Sequence, residues 1–317
     1  MKKRKLLWLS LFFIILLLFP QSLHAQSLGL GIYPPLLEVT IMPGKTLTQV
    51  YYLTNSGEVN LTMTSALVAF EPSDETGGVK ISENTEKLQP LQFGFLNADL
   101  KLGQTFSLPT GKKQEAVLII KVPENAPEKD YYATLLFQTN PLANLGGQSA
   151  SQTQTKIGSH LLISVSRTGE PFRKASIEQF NLNNCAKLCI IDSFSSPQFL
   201  VRIKNSGHSF FKPLGKITFQ GWFNQTETLD LLPQNILSDS TREIQCQKED
   251  QVVPCQSESK FLVGLFKAKL EFGLDDFSGD YQKEIQFVAF PFKLCFGLLI
   301  LGLILGLIKA KLMLDKD

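Results

Sequence analysis

Three histidines, five cysteines and a few clustered carboxylates are the side chains with chemistry to offer in this sequence. His24 lies in an N-terminal leader. His160 sits in an apolar stretch and His208 beside a turn. Neither has a companion at the spacing of a metal site or a nucleophile–base pair, so both read as structural or surface residues. The carboxylate pairs Asp74-Glu75 and Asp275-Asp276 are adjacent in sequence. Glycoside hydrolysis needs two carboxyl groups facing each other across a cleft, which adjacency does not indicate. The run Asp275 to Asp280 resembles a calcium loop in composition but lacks the spacing and distal Glu of an EF-hand. It reads first as a solvated hairpin turn and second as a Ca²⁺ site. No GxSxG, HExxH, phosphate-binding loop or GxGxxG occurs. The expectation is a protein that is not an enzyme and holds no cofactor or metal.

Four of the five cysteines fall in the segment between the two apolar ends of the chain. Cys246 and Cys255 bracket a charged, turn-forming segment, QKEDQVVP, and Cys185 and Cys189 are separated by three residues. Neither pair has CxxC spacing or a nearby His, so disulfides are favoured over a metal. Cys246–Cys255 is the first expected staple. Cys185–Cys189 is the second, with a cross-pairing such as Cys185–Cys255 open. Cys295 lies in an apolar run and reads as a small filler.

The two ends of the chain explain why disulfides suit it. MKKRK, the apolar Leu6–Phe19 and Leu23-His24-Ala25 form a secretory leader, 1–25, cut after Ala25. An uncleaved anchor would leave the same residues outside. Near the C-terminus, Leu294 to Ile308 carries no charge. Fifteen helical residues reach about 22 Å, so the run is extended outward to Val288, giving about 31 Å, enough for a bilayer core. A membrane helix over 288–308 is expected, followed by a short basic cytoplasmic tail, 309–317. Basic residues flank both apolar runs on the same side, which places the intervening chain outside the cell membrane. A net charge of +2 gives no reason to expect nucleic acid.

Between the ends the pattern is that of short strands. Leu36–Ile41, Leu47–Thr54, Leu61–Phe70, Ala116–Val122, Tyr131–Thr139 and Ile157–Ser166 form a first series. A second comprises Ser176–Leu182, Phe199–Lys204, Lys216–Phe223, Glu227–Leu232, Arg242–Gln247, Phe261–Phe272 and Lys283–Phe290. Arg167 to Pro171 reads as a linker between them. The expected fold is all-β: two tandem immunoglobulin- or fibronectin-like β-sandwich domains, 26–168 and 169–287, ahead of one transmembrane helix. Asn55-Ser56-Gly57 and Asn205-Ser206-Gly207 each end a strand, 150 residues apart, which suggests an internal repeat. The polar segment 140–155 reads as a loop tip. Asn60-Leu61-Thr62 and Asn224-Gln225-Thr226 match glycosylation sequons by pattern.

Two further features bear on partners. Phe210-Phe211 and Trp222-Phe223 are adjacent aromatic pairs, and one residue of each should face outward if both lie in strands. Internal packing is the first reading, and a contact patch containing Phe211 and Trp222 the second. Gly302 and Gly306 set a small-xxx-small spacing in the apolar helix, which offers a homodimer contact.

The first domain runs YPPLLEVTIMPGKTLTQVYYLTNSGEVNLTMTSALV, then LPTGKKQEAVLIIKVPENAPEKDYYATLLFQ, then KIGSHLLISV. This resembles WxL-interacting proteins of bacterial envelopes. The matching pieces are Pro43-Gly44 before a strand ending at Asn55, the strand Ala116–Val122 followed by Pro123, and a strand around Ile157–Val165. The resemblance implies a leader, two immunoglobulin-like domains, a C-terminal membrane helix, and a function of holding an envelope protein or peptidoglycan. It transfers no catalytic residue. The tail carrying Asp315 and Asp317 and the cysteine pairs of the second domain depart from that pattern. The expected function is a membrane-anchored extracytoplasmic binding or adhesion protein. The alternative is an assembly factor that adds a strand to a secreted client.

Overall fold

The computed structural model describes residues 29–314 apart from 83, 141–153, 184, 186–188 and 223–224. The leader, most of the loop tip, Asn224 and the last three residues of the tail lie outside the described residues.

Alternation of apolar and polar side chains builds both domains. In Lys113–Lys121, Ala116, Leu118 and Ile120 are buried while their neighbours face outward, and in Pro213–Gln220 the same holds for Ile217 and Phe219. Leu118, Ile120, Ile217 and Phe219 each contribute roughly 1.5–3 kcal/mol by leaving water.

The first domain contains β1 (Leu30–Tyr33), β2 (Leu36–Ile41), β3 (Thr46–Asn55), β4 (Leu61–Pro72), β5 (Val79–Ser82), β6 (Gln92–Phe95), β7 (Thr105–Leu108), β8 (Lys113–Lys121), β9 (Asp130–Thr139) and β10 (Lys156–Val165). One sheet has the order β1-β3-β8-β6. The other has the order β2-β10-β9-β4-β5, with β7 also on β4. Between them lies a core centred on Tyr51, Leu53, Leu118, Ile120, Leu135 and Phe137.

The second domain contains β11 (Ala175–Leu182), β12 (Cys189–Asp192), β13 (Phe199–Asn205), β14 (Pro213–Gln220), β15 (Thr226–Leu231), β16 (Thr241–Glu243), β17 (Cys246–Lys248), β18 (Gln251–Val253), β19 (Gly264–Leu274) and β20 (Tyr281–Phe290). Its sheets have the orders β11-β13-β16 and β12-β20-β19-β14-β15-β17-β18. Phenylalanines dominate its core, and Phe266 stacks on Phe287 across the β19–β20 ladder at 5.1 Å. The expected strand Arg242–Gln247 is two strands, because the chain passes from one sheet to the other at Ile244 and Gln245.

The two domains share one plan, that of immunoglobulin-like sandwiches. In each, the leading strand is divided between the sheets. Its first part pairs antiparallel with the second strand of the domain (β1 on β3, β11 on β13), and its second part pairs parallel with the last (β2 on β10, β12 on β20). In the first domain the break falls at Pro34-Pro35, where prolines supply no N–H to a ladder. In the second it falls within the segment closed by Cys185–Cys189.

The Asn-Ser-Gly echo has the same physical content in both places. The Asn55 side chain donates to the Val59 and Leu108 carbonyls and accepts the Gly57 N–H. Asn205 donates to the Ser209 and Ile236 carbonyls and accepts the Gly207 N–H. Both are buried, so each side chain satisfies backbone groups that would otherwise be unpaired at the end of a strand.

A helix, α1 (Phe292–Leu314), follows β20 with only Pro291 between. The expected start at Val288 is corrected. Val288 to Phe290 belong to β20, with Leu265 opposite Val288 and Gly264 opposite Ala289, and the Ala289 side chain is part of the domain core. The apolarity of that segment serves the sandwich, and the second domain extends to Phe290. The helix also continues past Lys309 and Lys311. Its window Phe292–Lys309 has a mean hydropathy of 2.2 and is not buried against the rest of the chain. At about 1.5 Å per residue, α1 is about 34 Å long, enough to cross a bilayer core of about 30 Å.

Candidate functional site

The two sandwiches meet along the outer face of the β2-β10-β9-β4-β5 sheet. Phe70 of β4 and Leu162 of β10 pack with Phe210 and Leu237 of the second domain, and Tyr132 lies against them. Asp130, at the start of β9, is buried beneath this cluster. Its carboxylate accepts the Ser164 hydroxyl at 2.6 Å, the Tyr132 hydroxyl at 2.5 Å and the Phe210 backbone N–H at 2.6 Å. Burial pushes Asp130 above the ordinary carboxylate range, against the pull of these donors. The Tyr132 hydroxyl in turn accepts the Ser238 N–H, and burial together with Asp130 pushes it far up.

Charged groups ring this cluster. Lys212 pairs with Glu38 at 2.6 Å, and Arg202 with Glu75 at 3.1 Å. The Glu243 N–H donates to the Glu75 carbonyl at 2.7 Å, so the turn after β4 joins the β16 edge by backbone. Beside it lies a cleft of about 130 Å³, walled by Leu36, Phe70, His160, Leu162, Leu237 and Arg242 among others. The Arg242 guanidinium donates to the Asn235 carbonyl at 2.6 Å, while its Nε is buried without an acceptor. His160 stacks edge-on to Phe70 and meets the Thr134 hydroxyl at 2.9 Å, and burial pushes its imidazole down.

Next to this cleft the sheet presents an unfinished edge. β2 covers β10 only from His160 to Val165, because the chain turns away to the other sheet at Pro34-Pro35. β9 pairs with β10 from Lys156 onward. Lys156, Ile157, Gly158 and Ser159 therefore have a ladder on one side only, among the described residues. The His160 N–H points to the β2 side, donating to the Pro35 carbonyl. By the two-residue period of a strand, the backbone groups of Gly158 and Lys156 point the same way and have no strand partner there among the described residues. A row of free N–H and C=O groups can accept an extended peptide by strand addition.

The sequence-selected residues fall as follows. Cys246–Cys255 and Cys185–Cys189 are both bonded, the first tying β17 to the turn after β18. Phe211 is withdrawn from the expected contact patch. It is fully buried, bridged by backbone to Ile236, because its position alternates with the junction residue Phe210. Trp222 lies past the end of β14 and is exposed, with its ring over Gly264. The Asp275 carboxylate accepts the Lys212 N–H at 2.8 Å and pairs with Arg173 at 2.9 Å, so it holds the β19–β20 turn to the domain entry. Among the described residues no group of three or more His, Cys, Asp or Glu is arranged to hold a metal. The His208 carbonyl accepts the Asp130 N–H, and its ring lies against Phe172. Gly302 and Gly306 face open space on α1. Sequence reasoning missed Asp130, Tyr132 and Arg242, since nothing in their spacing signals a junction between distant segments.

Neither a family model nor a curated relative matches this chain. Solved structures with a similar course include the class 5 fimbriae chaperone CfaA, 12% identical over 82% of this chain and 99% of that one, with a TM-score of 0.39. The E. coli chaperone DraB is 9% identical over 82% and 99%, with a TM-score of 0.37. A chaperone–tip adhesion subunit complex of Acinetobacter baumannii Csu pili is 14% identical over 82% and 98%, with a TM-score of 0.36. At such identities and TM-scores these likenesses leave the function open.

Proposed function

We propose that this chain is a non-enzymatic, membrane-anchored extracytoplasmic binding protein that captures an extended segment of a protein partner along the free edge of β10. The observation that carries this reading is the backbone at Lys156 and Gly158, without a strand partner on one side among the described residues, where Pro34-Pro35 diverts the leading strand. The neighbouring cleft offers apolar walls for one side chain of an added strand. The junction contacts hold edge and cleft beside each other. The tether is α1, with the sandwiches outside the membrane and the helix crossing it. This arrangement agrees with the resemblance to WxL-interacting proteins and with a partner in the cell envelope.

An assembly role, in which the client is later released, is favoured over static adhesion by the shortness of the open edge, which gives few backbone bonds to a bound strand. The test is photo-crosslinking in intact cells with p-benzoylphenylalanine in place of Lys156, together with Lys156→Pro. The substitution removes an outward N–H at an edge position where proline is tolerated. A discrete protein adduct, and loss of co-purification in the proline variant with unchanged melting, is the expected result. An unchanged partner yield in Lys156→Pro would remove the edge from the mechanism. Pulse–chase of the adduct separates transient clients from a permanent partner.

A further inference from the structure

We propose that the base of the second domain is a docking surface for the lipid headgroup layer, an aromatic collar that seats the domain on the bilayer crossed by α1. This inference rests on the membrane-anchor reading above.

Three aromatic side chains that the core does not use gather where the helix leaves the sandwich. Phe194, Trp222 and Phe261 are 55%, 60% and 42% exposed, although each is large and apolar. The Phe194 and Phe261 rings meet in a tilted pair, with centroids 5.2 Å apart. The backbone holds them at this level. The Ser193 N–H donates to the Phe290 carbonyl, and the Leu262 N–H donates to the Ser193 carbonyl. The Trp222 ring lies over Gly264, which pairs with Ala289 two residues before Pro291. Phe290 and Phe292, also exposed, complete the group on the connecting segment.

The start of the helix is tied to this surface. The buried Asp192 carboxylate accepts the Lys293 N–H at 3.0 Å, capping the first turn of α1 from the end of β12. The Cys295 N–H donates to the Pro291 carbonyl, so helical bonding starts at the last residue outside the sheet. With no linker, the height of the domain is set by the height of the helix. Because α1 is about 34 Å long and begins at Phe292, its first turn falls at the hydrocarbon boundary and the collar falls within the headgroup layer. Aromatic rings prefer that layer, and the exposed Lys260 and Lys293 beside them suit anionic headgroups. A bilayer is chosen as occupant because the patch is continuous with the root of the helix.

Trp222 reports on this directly. With Trp8→Phe it becomes the sole tryptophan of the full chain. That chain is inserted into phosphatidylcholine–phosphatidylglycerol vesicles whose acyl chains carry bromine close to the headgroup. Docking predicts about a twofold loss of Trp222 emission relative to unbrominated vesicles, with protection from aqueous iodide. A second variant, Leu303→Cys with Cys295→Ser, reports whether α1 is inserted through its reaction with an impermeant maleimide. Full Trp222 emission and open access to iodide while Leu303→Cys is shielded would overturn the collar alone. Labelling of Leu303→Cys in intact vesicles would remove the membrane anchor and the collar with it.

Discussion

The Asp130 carboxylate of the first sandwich accepts the Phe210 backbone N–H of the second at 2.6 Å, in a position buried from solvent. Through this bond a residue at the start of one strand sets the pose of a domain that begins about forty residues later in the chain. The edge of β10 and the cleft beside it keep their relation to α1 only while this junction holds.

Asp130→Ala removes the acceptor for Ser164, Tyr132 and Phe210 together. Leaving buried donors unpaired costs about 1–3 kcal/mol each in the worst case, so a loss of about 3 kcal/mol at the junction is expected. Calorimetry of the full chain in detergent should show a single transition resolving into two. Proteolysis within 167–171 should also become faster. A single transition at the original temperature would mean that the domains do not depend on this bond.

The paired asparagines should be equally sensitive. Asn55→Ala and Asn205→Ala each strip two carbonyls and one N–H of their partner, and neither site is open enough for water to replace the amide. Each is expected to cost about 3 kcal/mol, read as a lower denaturant midpoint with an unchanged slope. A loss below about 1 kcal/mol at either position would show that the repeated hydrogen-bond set is not what ends these strands.

His160 makes stability depend on pH. Burial lowers its folded value below the ordinary 6.5. A base with a depressed folded pKa contributes stability that is present above the unfolded value and is lost as pH falls through the folded one. Asp130, with a raised value, acts in the opposite sense, its contribution being lost as pH rises through its folded pKa. The two are separated by comparing the parent with His160→Gln. The melting-temperature difference should shrink between neutral pH and about pH 5. A constant difference would place the His160 ring in water.

The Cys246–Cys255 bridge closes a short loop, so its effect should be modest. Replacing both with serine is expected to cost about 2.5 kcal/mol by the chain-entropy relation for a loop of nine residues. Both sulfurs are buried in the domain core, so serine hydroxyls there add to the loss. Urea titration of the double variant against the parent measures it. Equal midpoints would mean that β17 and the turn after β18 are held by packing alone.

Much of the architecture was legible because its cause is local. The alternation in Lys113–Lys121 marks one buried face, and β2 at Leu36–Ile41 was readable from its composition. The short strands β1, β5, β6, β7, β12 and β18 were not, since three or four residues carry too little period and are extended by their neighbours. The Val288–Phe290 segment was claimed both by the strand Lys283–Phe290, which the structure keeps, and by the membrane helix, because apolar residues serve a buried strand and a membrane helix alike. Phe211 and Trp222 could not be sorted into buried and exposed, because β14 ends at Gln220 and the alternation stops before Trp222.

What the sequence determines by itself is the material: two series of strands, a repeated Asn-Ser-Gly turn, two nearby cysteine pairs and an apolar helix with basic residues behind it. Those follow from side-chain periodicity, turn chemistry and transfer free energy, each acting over a few residues. The tertiary structure decided which edge stays open, where Asp130 meets Phe210 and which aromatics gather at the root of α1. Each of these joins segments far apart in the chain, and only closure of the two sandwiches brings their backbones within hydrogen-bond reach.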